Sequence, residues 1–170
     1  IIFPRYHQLD VVEKLVADTY FANVLQSRCK EEARYDMVAD EKTKYYSLKK
    51  PHRNNYLIQH SAGSGKSNSI AWLTYRLAGL QNAEMKNMFN SVFVITDRRV
   101  LNKQLQSTIL GFDHIDGQIE TITDNDNSEK LARIINDDNT RIVITTLHRF
   151  PVIYKELTSR SGKRYAIIVD

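Results

Sequence analysis

With one cysteine, three prolines and six glycines in 170 residues, this chain is neither a disulfide-stapled scaffold nor a collagen-like or proline-rich one. Cys29 alone can close no internal disulfide and build no cysteine-only metal cluster, a pattern that fits a reducing compartment, so the cytoplasm is the expected location. No apolar run approaches the roughly 20 residues that a membrane-spanning helix needs, and no membrane partner is expected. A signal peptide is missing as well: the opening IIFPRYHQ has no basic region leading into a long apolar stretch, and it does not begin with methionine. The other end, RYAIIVD, climbs through an apolar run and stops on Asp170 without a turn, so the chain is expected to be a piece of a longer one. Internal repeats and low-complexity tracts are absent.

Charge of one sign is also scarce, at a net +4 from 24 Lys and Arg against 20 Asp and Glu. Most of that surplus lies in residues 28–53, where eight basic residues meet five acidic ones. A mixed run of this kind is more often a solvated face than a phosphate-contacting patch, and nucleic-acid binding does not follow from charge alone.

What the sequence does have is ordered patterning of the size of one domain. Leu9, Val12, Leu15, Val16 and Tyr20 recur at helical spacing, which predicts an amphipathic helix over residues 5–27 behind Pro4. Residues 28–55 read as a charged insertion or connector, and their polar middle is either a helix continuation or a mobile insertion. From residue 56 to 170 the pattern becomes an α/β core. Short β-rich strings at 56–60, 91–96, 118–123, 141–146 and 165–170 alternate with helical ones. Ile70, Leu73 and Leu77 follow the first string, and Leu101, Leu105 and Ile109 follow the second. Five near-continuous apolar strands with helices between them predict a mostly parallel sheet covered by helices on both faces.

The acidic stretch DNDNSE at 124–129 superficially resembles a calcium loop, but its sixth position is Glu129 instead of glycine and its twelfth is Ile135 instead of glutamate. An Asp126-x-x-Glu129 capping box that opens a helix at LARIIN is the better reading.

The chemistry concentrates in YLIQHSAGSGKSNSIAWL, residues 56–73. A phosphate-binding loop needs glycines for a tight turn, backbone N–H groups around an anion, a lysine for the β- and γ-phosphates and a hydroxyl for magnesium at a helix N-terminus. The run Ser61, Ala62, Gly63, Ser64, Gly65, Lys66 and Ser67 supplies these between a predicted strand and a predicted helix. The pattern G-x-x-x-x-G-K-[ST] departs only at its first position, which is His60, and this favours a nucleic-acid motor over a small GTPase or a nucleotide kinase. A magnesium-dependent nucleotidase also needs a carboxylate at the end of a neighbouring strand, and AIIVD offers Asp170. ATP and Mg2+ are therefore the expected ligands, with Lys66 and Asp170 catalytic and with Ser67 and Asp170 holding magnesium, Asp170 through water.

Two further stretches end strands on the same side of an open sheet, where ligands bind. ITDRRVLNKQLQ, residues 95–106, brings Arg98 and Arg99, and ITTLHRF, residues 144–150, brings Thr145, Thr146, His148 and Arg149. Hydroxyls and basic groups there can hold a phosphate backbone without reading sequence. Helix capping by Thr96 or Asp97, and by Thr145 or Thr146, is the competing explanation.

FPRYHQ (3–8), QHSAGSGKS (59–67), VITDRRVLNKQLQ (94–106), ITTLHRFP (144–151) and IIVD (167–170) resemble, in order, the motifs of the motor subunit of type I restriction enzymes, within helicase superfamily 2. That resemblance spans the whole chain and implies a RecA-like P-loop NTPase domain that couples ATP hydrolysis to translocation on double-stranded DNA before cleavage. It implies that Gln8 reads adenine with Arg5 in support, that Arg98, Arg99, Thr145 and Thr146 track DNA, and that Asp170 begins the acidic box. It also implies specificity and methyltransferase subunits as partners, with a second RecA-like domain and a nuclease domain elsewhere in the parent chain. On that basis the isolated piece is expected to bind nucleotide weakly and hydrolyse almost none. Another superfamily 2 helicase, a type III restriction motor and a nucleotide-gated binding module without motor activity are the alternatives, while a small-molecule kinase is disfavoured by His60.

Overall fold

The computed structural model describes residues 5–35, 55–97, 99–111, 117–123, 125–158 and 162–170. In chain order the elements are α1 (Tyr6–Tyr35), α2 (Lys66–Ala78), β1 (Ser91–Thr96), α3 (Arg99–Leu110), β2 (Ile119–Ile122), α4 (Ser128–Asn136), β3 (Ile142–Thr146), α5 (Phe150–Thr158) and β4 (Tyr165–Val169). The four strands form one sheet in the order β2-β3-β1-β4, with every pair parallel.

β1 and β3 are apolar runs because both of their faces are buried, whereas β4 leaves Ile167 and Val169 exposed. On one face Val92, Val94, Ile142, Ile144 and Ala166 pack under α2 and α3, through Ile70, Leu73, Leu77, Leu105 and Ile109. Val12 and Val16 of α1 join that cluster by packing on α2. On the other face Phe93, Val143 and Ile122 pack against Ile134 and Ile135 of α4 and Ile153 and Leu157 of α5. Burying each such side chain stabilises the fold by about 1.5–3 kcal/mol, so the two clusters outweigh any single polar contact in the molecule. This is the predicted α/β architecture of a RecA-like P-loop NTPase domain, with helices on both faces of the sheet.

Three boundaries differ from the sequence reading. Helix α1 continues past residue 27 to Tyr35, so the charged connector begins as helix, and its remainder at residues 36–54 lies outside the described residues. Tyr56–His60, expected as the first of five strands, joins no ladder, and Leu57 in its middle is 99% exposed. Strand preference is largely a preference for a pleated, half-buried surface, and among the described residues this segment has no strand neighbour to provide one. Its main tie is to α1, where the Tyr56 hydroxyl donates to Asp18 at 2.7 Å. Burial and this bond raise the Tyr56 pKa above its ordinary value. Finally, the cap of α4 is Asn127, whose side chain accepts from Lys130 N at 2.9 Å, one residue after the predicted Asp126. Asp126 is otherwise engaged, accepting from Thr123 N at 2.6 Å and from Thr123 Oγ1 at 2.9 Å and pairing with Lys130 at 2.9 Å.

Candidate functional site

The run Ser61–Ser67 forms a turn that leads directly into α2. Gly63 and Gly65 sit at φ 73° and 80°, in the left-handed region that residues with a Cβ avoid, and Gly65 is the N-cap of α2. Its carbonyl accepts from Asn68 N at 3.0 Å and Ser69 N at 3.3 Å, which starts the helix. Lys66 and Ser67 are thus the first two residues of a 13-residue helix, where free N–H groups and the helix dipole favour an anion. Ser61, Ala62 and Gly63 are exposed on an open cleft of about 470 Å³, which they share with Arg5, His7 and His60.

Asp170 follows β4, and its N–H donates to Ile95 O of β1 at 2.9 Å, so the central strand fixes its position. Its carboxylate stands 3.0 Å from Lys66 Nζ. The two partners differ in environment, since the Asp170 side chain is only 10% exposed and that of Lys66 is 55% exposed. A half-exposed lysine is free to swing toward an incoming phosphate, whereas the carboxylate is not. A second, small cavity of about 70 Å³ opens between Lys66, Asp170, His60 and the apolar side chains of Ile58, Ile70 and Ile168.

The N-terminal turn of α1 lies against this loop. Gln8 is 3% exposed, and its Nε2 donates to both Ser64 O and Gly65 O at 2.9 Å. Its Oε1 accepts from Arg5 N at 2.9 Å. His7, which the sequence reading passed over, places Nε2 3.1 Å from Ser64 O and its ring 6.2 Å from that of His60. The signal was available in FPRYHQ, where His7 directly precedes Gln8. His60 Nε2 and Ser64 Oγ are buried with no protein partner. Arg5 itself is exposed.

Of the residues expected to track DNA, Arg99, Thr145 and Thr146 lie among the described residues. Thr145 and Thr146 are 0% and 3% exposed at the carboxyl end of β3, paired in register with Ile95 and Thr96 of β1. Thr145 Oγ1 has no hydrogen-bond partner, and α5 begins at Phe150 after a turn in which Arg149 N donates to Thr146 O. Arg99 opens α3, and Arg98 lies outside the described residues. Arg149 faces the protein, with Nε donating to Thr123 O at 3.1 Å and its terminal nitrogen to Asp126 O. His148 remains exposed.

Hard oxygen donors suit magnesium, and the site offers a hydroxyl on Ser67 and a carboxylate on Asp170. The lysine ammonium now beside that carboxylate shows that Asp170 holds positive charge there, so the donor set fits the ion. Among the described residues no group of three or more His, Cys, Asp or Glu could hold a metal, and no helix is long and apolar enough to cross a membrane.

The family model described as SWI2/SNF2 ATPase matches residues 20–170, which include the phosphate loop, the whole sheet and Asp170. The chain belongs to the SWI2/SNF2 ATPase family. This membership makes it a superfamily 2 helicase-like, ATP-binding motor domain with a RecA-like fold. No curated protein and no solved structure matches the chain. The family match begins after Arg5, His7 and Gln8, so the contacts of α1 with the loop stand on geometry alone.

Proposed function

We propose that this SWI2/SNF2 ATPase domain is the first RecA-like lobe of a type I restriction motor, coupling ATP hydrolysis to movement along double-stranded DNA before cleavage. The observation that carries the nucleotide part is the 3.0 Å approach of Lys66 to Asp170, which joins the phosphate loop to the end of β4. The five ordered motifs from FPRYHQ to IIVD support the restriction assignment. They bring with it specificity and methyltransferase subunits as partners, and a second RecA-like domain and a nuclease domain in the parent protein.

In this reading Lys66 leaves Asp170 and neutralises charge on the β- and γ-phosphates, while the N–H groups at the start of α2 orient them. Ser67 and Asp170, the latter through water, would hold magnesium. When bound, the ion supplies charge neutralisation across the phosphates. Sequence is not read here, because contacts to a phosphate backbone position a motor without specifying a site.

Replacing Lys66 with alanine removes the side-chain cation assigned to the phosphates in this reading, and Mg-ATP binding is expected to weaken by about tenfold or more. Titration calorimetry checks this, and unchanged affinity in Lys66→Ala refutes the assignment. The burial of Thr145 and Thr146 favours a second reading, a nucleotide-gated module that does not move on DNA. Stimulation of ATP hydrolysis by duplex DNA in the parent enzyme decides for the motor, and its absence for the module.

A further inference from the structure

We draw no further inference here: the strongest candidate, the apolar face of the edge strand β4 where Ile167 and Val169 are exposed, is a surface for which nothing among the described residues shows what covers it.

Discussion

The carboxyl ends of β4 and of β2 lie on the same side of one parallel sheet, yet they are finished in opposite ways. At β4 a single ion pair, Lys66 with Asp170, closes the end, and the neighbouring loop opens on a cleft. At β2 the turn is tied down many times over. Arg149 holds Thr123 O and Asp126 O, Lys130 reaches both Asp126 and Thr121 O, and Asn127 caps α4. A ligand can take Lys66 in one exchange of partners, whereas entering the β2 end would break a whole network. The difference shows where the molecule keeps polar groups for use and where it spends them on its own architecture.

Arg149→Ala is the strongest way to break that comparison. It strips two charge-assisted bonds from the β2 turn and leaves their carbonyls without them, so stability is expected to fall by about 2–3 kcal/mol, read from urea unfolding. Nucleotide affinity should not change, and a loss of affinity would show that the two ends are coupled. Asp126→Asn is a milder test, expected at about 1 kcal/mol near neutral pH. Burial pulls the Asp126 carboxyl upward, but the bonds from Thr123 and the Lys130 charge outweigh it and leave its pKa below the ordinary 3.8. A carboxyl depressed in the folded state contributes stability above its unfolded pKa and loses it as pH falls through the folded one. The gap between wild type and Asp126→Asn should therefore close only below about pH 3.8; a gap that closes at neutral pH would show that the network holds no ionised aspartate. The smallest effect is expected at Leu57→Ser. A side chain that is 99% exposed and outside any ladder contributes within about 0.5 kcal/mol, and a loss above 1 kcal/mol in the same unfolding assay would mean that residues 56–60 do pair as a strand in solution.

Much of this was legible in the residues. The apolar strings at 91–96 and 141–146 announced buried parallel strands because a covered sheet accommodates such runs; the string at 165–170 announced a parallel strand as well, but one that leaves Ile167 and Val169 exposed. The glycines, Lys66 and Ser67 announced the turn into α2 because few other sequences permit it. Tyr56–His60 misled because its composition is that of a strand, while pairing depends on a neighbour that composition does not encode. Asn127 lost the cap to Asp126 on paper because either side chain can accept a bond from an N-terminal N–H, and only the loop's path decides which one does. The burial of Thr145 and Thr146 follows from the argument that buries Ile142, Val143 and Ile144 on both faces of the sheet, since it extends to the end of the same strand. The bonds of Gln8 and Arg149 to backbone carbonyls had no sequence signal, because carbonyls are present at every position.

The pairing of β4 with β1 also acts as a length gauge. Val169 stands opposite Ile95, and Asp170 N–H then bonds Ile95 O, so the carboxylate begins one step beyond the last paired residue. Sliding β4 by two residues would preserve which side chains face each helix layer, yet it would carry Asp170 about 7 Å along the strand, more than twice the present reach to Lys66. Hydrophobic alternation alone would accept that error. The distance between charge and phosphate loop is thus kept by backbone pairing deep in the sheet, and a change in strand length far from the cleft would mistune the site without altering a residue in it.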